Sequence, residues 1–131
     1  LLPSVDARRA EVYAALYRGG ARGGPPELLW GPEVLSCAAL ARRFSEMRPE
    51  SAGPEGTLVG SGAALLTPFF PAEAGWQRPP SLSRARASAV ARAGAWKLAA
   101  GETRSPAELR PVYLRKSDAE ITREKNRLPA G

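Results

Sequence analysis

The chain has 131 residues, of which 24% are charged and 44% hydrophobic. These values are ordinary for a folded soluble domain, and the length provides one core rather than two. The absence of histidine excludes a serine–histidine–aspartate triad and any imidazole metal ligand. The single cysteine excludes an internal disulfide and a multi-cysteine metal site, and no apolar run approaches the roughly 18 residues of a membrane span.

The net charge of +6 lies entirely in the second part of the chain. Residues 1–55 carry seven basic and seven acidic groups, whereas residues 56–131 carry twelve and six. Arginine outnumbers lysine 16 to 3 and there are 24 alanines, which is typical of GC-rich coding sequence. Two interpretations therefore stay open: a solvated arginine-rich helix face, or a surface for RNA or an acidic partner.

The chain begins with a predicted β-hairpin of residues 1–7 and 11–17. The second strand alternates with period two and is apolar or aromatic on both faces, so we expect it to be covered on both sides. Asp6 and Glu11 flank the turn with arginines between them. Because a neighbouring arginine lowers a carboxyl pKa, this pattern favours a turn braced by ion pairs over an acid–base pair.

Glycines and prolines at 19–26 interrupt the pattern, and Leu28–Trp30 is a short extended stretch. Gly31-Pro32-Glu33 predicts the start of an amphipathic helix of about 15 residues, ended by Pro49. Cys37 falls on the apolar arc of this helix. We interpret it as a core residue rather than a reactive thiol, since nothing nearby would stabilise a thiolate.

A short buried strand and a glycine turn follow a loop at 49–56. Gly60-Ser61-Gly62 lacks the lysine of a phosphate loop and the third glycine of a dinucleotide fingerprint, so a tight strand-to-helix turn is the favoured interpretation over nucleotide binding. Residues 63–70 predict at most a helical turn, and residues 71–80 predict a loop.

Residues 81–100 give the clearest helix prediction, with Trp96 as the buried anchor and Gly101 at its end. Leu109–Leu114 is predicted as a further extended run. The sequence thus predicts an α/β domain over residues 1–116, a small mixed β-sheet with packed helices, followed by a polar tail at 117–131. Its candidate basic patch for tRNA or an acidic partner comprises Arg84, Arg86, Arg92, Lys97, Arg115 and Lys116.

Two segments carry a family resemblance. Val5-Asp6-Ala7-Arg8-Arg9-Ala10-Glu11-Val12-Tyr13 resembles the "DAR-x-x-EVY" hairpin of the TsaB (YeaZ) family of bacterial tRNA threonylcarbamoyladenosine biosynthesis proteins. Pro111-Val112-Tyr113-Leu114-Arg115 resembles that family's "PxYLR" signature. The elements between them occur in the same order. The family-motif residues transferred to this chain are Asp6, Arg8, Glu11, Tyr13, Tyr113 and Arg115.

The resemblance implies the second lobe of an actin/Hsp70-like ATPase fold, with the family's glycine-rich N-terminal half missing. It implies a cytoplasmic, non-catalytic role without cofactor or metal, in spite of the family's old M22 glycoprotease label. The implied partners are a TsaD-like catalytic subunit and a TsaE-like ATPase, which transfer a threonylcarbamoyl group to the adenosine beside the anticodon of tRNA. The alternative hypothesis is a stand-alone basic RNA-binding module, and an enzyme is the third.

Overall fold

A computed structural model describes residues 1–20, 23–47, 55–115, 120 and 123. It has the expected α/β architecture, with one five-stranded mixed sheet in the order β3-β2-β1-β4-β5. The strands are β1 (Leu2–Arg8), β2 (Glu11–Arg18), β3 (Glu27–Ser36), β4 (Gly56–Val59) and β5 (Trp76–Gln77). The α-helices are α1 (Cys37–Met47), α2 (Ala63–Leu66) and α3 (Ala87–Ala99).

The central strand β1 has neighbours of opposite direction on its two sides. It pairs antiparallel with β2, where Ser4 lies opposite Ala14, and this confirms the predicted hairpin. On its other side it pairs parallel with β4, where Leu2 lies opposite Leu58. β1 therefore has both a hairpin partner and a partner more than fifty residues away.

The predicted helix start at Gly31-Pro32-Glu33 is wrong, because these residues continue β3. They pair with β2 as far as Ser36, and β3 is the edge of the sheet, where a proline without an N–H group is tolerated. Helix α1 begins at Cys37, and Ser36 caps it by accepting a hydrogen bond from the Ala39 N–H at 3.2 Å. The helix ends at Met47, and the predicted role of Pro49 lies outside the described residues.

The core lies between one face of the sheet and helices α1 and α2. The fully buried hydrophobic side chains at its centre are all branched and aliphatic: Leu2, Val12, Leu40, Leu58 and Leu66. Cys37 is buried among them, as predicted. Helix α2 is a single turn, which confirms the prediction for residues 63–70.

An aromatic cluster closes the core beside β5, a strand that the sequence predicted as loop. Trp76 is 6% exposed, and its ring centroid lies 5.1 Å from that of Phe44 and 4.6 Å from that of Phe70 in edge-to-face geometry. Gly56 lies against this ring, and a Cβ there would meet it at 2.5 Å. Trp76 is therefore the aromatic anchor of this core.

The prediction that Trp96 is a core residue is wrong. Helix α3 starts at Ala87 rather than at residue 81, none of its residues is buried, and Trp96 is only half-buried. Its predicted end is confirmed: Gly101 has φ +74°, its N–H donates to Leu98, and the Glu102 N–H donates to Lys97. This is the Schellman arrangement, which satisfies the last carbonyls of a helix.

The extended run predicted at Leu109–Leu114 is not a strand of the sheet. A strand must pair with a neighbouring strand, but residues 109–114 pair with neither edge of the sheet, which are β3 and β5. Val112 and Tyr113 are 78% and 85% exposed. Of the predicted polar tail at 117–131, only Glu120 and Arg123 belong to the described residues.

Candidate functional site

The tip of the β1–β2 hairpin holds three consecutive non-glycine residues in the left-handed region. The φ angles are +67° at Arg8, +56° at Arg9 and +59° at Ala10. Such residues each cost of order 1 kcal/mol and persist only where the surroundings hold them. Here the Asp6 carboxylate accepts a hydrogen bond from the Arg8 N–H at 2.7 Å, and a bulge between Asp6 and Arg8 precedes the turn.

Arg115 crosses from the C-terminal segment to this hairpin. Its Nη1 donates to the Ala7 carbonyl oxygen at 3.1 Å and lies 3.4 Å from Oε2 of Glu11. The Arg115 side chain is 25% exposed and that of Glu11 34%. We call this contact the Arg115 clasp, since it joins positions 108 residues apart in the chain.

The structure brings together four of the six family-motif residues. Asp6, Arg8 and Glu11 lie at the hairpin and Arg115 contacts it, as described above. Tyr13 lies half-buried on the face of β2 opposite the core, and Tyr113 is almost fully exposed. The ion pair expected within the turn is weak, since Arg8 Nη1 lies 4.0 Å from Asp6 and its side chain is 88% exposed.

The glycine turn after β4 packs against β1. Gly60 has φ +92°, and a Cβ there would overlap the carbonyl oxygen of Ser4. The Gly62 N–H donates to the same oxygen at 3.1 Å, and Ser61 Oγ accepts the Asp6 N–H at 3.3 Å. Close approach of two backbones therefore accounts for these glycines, in agreement with the tight-turn interpretation.

An open groove of about 710 Å³ lies on the face of the sheet opposite the core. We call it the sheet groove. Its floor is the outward face of the central strands and its wall is the segment before and into α3; the main lining residues are Leu1, Val5, Tyr13, Tyr17, Leu82 and Ala89. Val5 is 54% exposed although it lies on the central strand of the sheet.

The structure describes five of the six residues of the candidate basic patch and places them in different surroundings. Arg84 and Arg86 line the sheet groove. Lys97 pairs with Glu102 at 2.9 Å, and Arg115 is held in the clasp. Arg92 lies exposed on α3, and Lys116 lies outside the described residues. The structure thus associates two of the six with a concave surface.

The titratable groups beside the hairpin are buried or take part in hydrogen bonds and ion pairs. Burial raises the pKa of the Cys37 thiol, which keeps it protonated and weakly nucleophilic. The carboxylates of Asp6 and Glu11 each accept hydrogen bonds or pair with an arginine. Across the described ranges, no three His, Cys, Asp or Glu side chains form a group that could hold a metal ion.

The sequence did not predict the sheet groove, although it carried a signal for it. The two apolar faces of residues 11–17 indicated cover on both sides, and the structure buries Val12 and Ala14 against the core more completely than the two tyrosines on the other face. On the groove face Tyr13 and Tyr17 remain half-buried. An apolar strand face that is incompletely covered therefore marks the position of the sheet groove.

Comparison of the chain with models of protein families gave no match, and comparison with curated proteins gave none either. None of the helices in the part of the chain that the structure describes has the length and apolar character needed to cross a membrane.

Proposed function

We propose that this chain is a non-catalytic structural and interaction domain of a TsaB-like subunit in the bacterial cytoplasm. In this role it supports a TsaD-like catalytic subunit and a TsaE-like ATPase in threonylcarbamoyl transfer to the adenosine beside the tRNA anticodon. The observation that carries the proposal is the Arg115 clasp. It joins the two segments on which the resemblance to TsaB rests, the hairpin and the C-terminal "PxYLR" run.

The contacts of the clasp give the two motifs a shared structural role. Arg115 satisfies the Ala7 carbonyl beside the strained turn and neutralises Glu11 at the start of β2. A charged hydrogen bond of this kind contributes more than an exposed ion pair, because both side chains are largely shielded from water. The motif residues then act on the fold of the hairpin, which is the role expected in a subunit without its own active site.

The sheet supports the proposed actin/Hsp70-like lobe. Three antiparallel strands are followed by two that run parallel to the first, in the order β3-β2-β1-β4-β5. Helix α1 follows the third strand and α2 follows the fourth. This agrees with the alternation of strands and helices that such a lobe has, and the absence of histidine from the chain supports a non-catalytic subunit.

The test is the threonylcarbamoyladenosine content of tRNA in the source organism, measured by mass spectrometry of nucleosides. Depletion of the protein should lower this content, and re-expression of the wild-type chain should restore it. Val90→Ala, at a 65% exposed position of α3 outside the candidate patch, should restore it equally. Arg115→Ala should restore it less well because the clasp is lost. An unchanged content after depletion would contradict the proposed function.

The alternative, a basic RNA-binding module, is supported by three arginines whose charge no carboxylate of the described residues neutralises. Within the described part of the chain, Arg84, Arg86 and Arg92 form no salt bridge. Binding through them would be electrostatic and would weaken steeply as the salt concentration rises. Fluorescence anisotropy with labelled tRNA at several salt concentrations tests this; binding that salt does not change would exclude it.

A further inference from the structure

The sheet groove leaves two apolar side chains exposed, one on the central strand β1 and one directly before it. The core face of the sheet is covered by α1 and α2, whereas on the groove face Leu1 is 45% and Val5 54% exposed. Sheets with parallel pairing normally bury both faces under helices, so an apolar-lined groove on an open sheet face is a candidate docking surface. We propose that the sheet groove docks an amphipathic helix of another protein, with acidic residues flanking the apolar face of that helix.

The dimensions and the hydrogen bonding of the groove favour a helix. Its floor runs from Leu1 along the start of β1 to Val5, a length of about 13 Å at roughly 3.3 Å per residue. Apolar anchors at i, i+4 and i+7 of a helix span about 10.5 Å, so they fit this floor. The β1 backbone is already paired on both sides, and a helix satisfies its own backbone groups when it lies on a sheet face.

The charges at the groove specify an acidic partner. Arg84 and Arg86 both line it, and the described lining residues include no carboxylate. A second copy of this chain, docked groove to groove, would bring two surfaces of the same positive charge together in a protein of net charge +6. Glutamates or aspartates beside the apolar face of a partner helix would instead complement them.

This proposal goes beyond the role in tRNA modification and does not depend on it. It uses only the exposed sheet face and the two arginines of this chain. The binding assay below measures the groove, whereas the nucleoside measurement above tests the tRNA-modification role. Failure of one proposal therefore leaves the other standing.

The probe is a fluorescein-labelled peptide of about 18 residues, long enough to form helix, with leucines at i, i+3, i+4 and i+7 and flanking glutamates. Two matched peptides replace the glutamates by lysines or scramble the leucines. Fluorescence anisotropy should show saturable binding of the glutamate peptide. The lysine peptide and the scrambled peptide should each bind at least about tenfold more weakly.

Matched variants then locate the binding surface. Val5→Lys introduces a charge at the groove floor and should weaken binding at least about tenfold, while Val90→Lys, at a 65% exposed position of α3, should not. Replacing both Arg84 and Arg86 by Glu should reverse the preference between the glutamate and lysine peptides. Arg92→Glu should leave that preference unchanged. Circular dichroism confirms that each variant is folded.

Several results would overturn the proposal. One is the absence of saturable binding of the glutamate peptide up to about 1 mM. Another is equal binding of the glutamate and lysine peptides. A dimer of the chain that Val5→Lys abolishes would make a second copy the occupant, and tRNA that displaces the peptide would make nucleic acid the ligand.

Discussion

Replacement of Trp76 should destabilise the protein far more than replacement of Trp96. Trp76→Ala removes a ring that is 6% exposed and packs edge-to-face on two phenylalanines. A buried tryptophan withdraws about 150–250 Å² from water. At about 25 cal/mol per Å² this corresponds to about 4–6 kcal/mol, close to the 3–5 kcal/mol usual for such truncations. Trp96→Ala should cost less, about 1–2 kcal/mol, because Trp96 lies outside the core on a helix with no buried residue and alanine is the better helix former.

Urea unfolding followed by far-ultraviolet circular dichroism measures both effects, since tryptophan fluorescence would change with the substitutions themselves. With a denaturant slope of about 2 kcal/mol per M, the midpoint of Trp76→Ala should fall by roughly 2 M, and that of Trp96→Ala by about 1 M or less. Trp76→Phe keeps an aromatic ring and should lie between wild type and Trp76→Ala. Equal midpoints for the two alanine variants, or a lower one for Trp96→Ala, would refute the assignment of Trp76 as the core anchor.

Three further variants test the turn, the clasp and the buried thiol by the same unfolding measurement. Ala10→Gly should stabilise the protein by about 1 kcal/mol, because glycine adopts the +59° φ angle without a Cβ penalty. Gly101→Ala is the control: Gly101 has φ +74° and open space around it, so this variant should lose a similar amount of stability. Destabilisation by Ala10→Gly would contradict the turn geometry. Arg115→Ala should cost about 1–2 kcal/mol. Arg8→Ala, at an 88% exposed side chain, should change stability by less than about 0.5 kcal/mol. Equal losses of stability in Arg115→Ala and Arg8→Ala would argue against the clasp. Burial raises the pKa of Cys37, so the unfolded thiol ionises first and stability should fall as the pH rises above about 8.5. Cys37→Ala should remove that part of the pH dependence. Identical pH profiles of the unfolding free energy for wild type and Cys37→Ala would contradict this role of the thiol.

Local patterns in the sequence predicted the elements whose structure depends mainly on neighbouring residues. The period-two alternation of residues 11–17 predicted β2, and the apolar arc around Cys37 predicted a helix with that thiol on its buried side. Gly101 predicted the end of α3 because a left-handed residue there completes a helix C-terminus. In each case the local sequence contains the physical cause.

Predictions failed where distant contacts decide the outcome. Pro32 resembles a first helical residue, but pairing with β2 and a position at the sheet edge keep it in a strand. Trp76 stands among prolines and glycines, and its two-residue strand forms only because β4 lies beside it. Trp96 lies on a regular small-residue helix face, yet a face is buried only if another element packs on it.

The candidate site shows the same division. The motif residues of the hairpin were identifiable from the sequence, as were the arginines. The link from Arg115 to Ala7 and Glu11 was not, because no periodicity relates positions this far apart. The sheet groove was not predicted either, since its floor and its wall come from separate parts of the chain.

The mixed pairing of β1 has a consequence for the order of folding. The meander of β1, β2 and β3 uses contacts between chain neighbours, whereas the pairing of Leu2 with Leu58 must close a long loop. The meander is thus expected to form first, with β4 docking in a later and slower step. Until then β1 is an edge strand with unpaired backbone groups, and refolding at high protein concentration should aggregate through this strand.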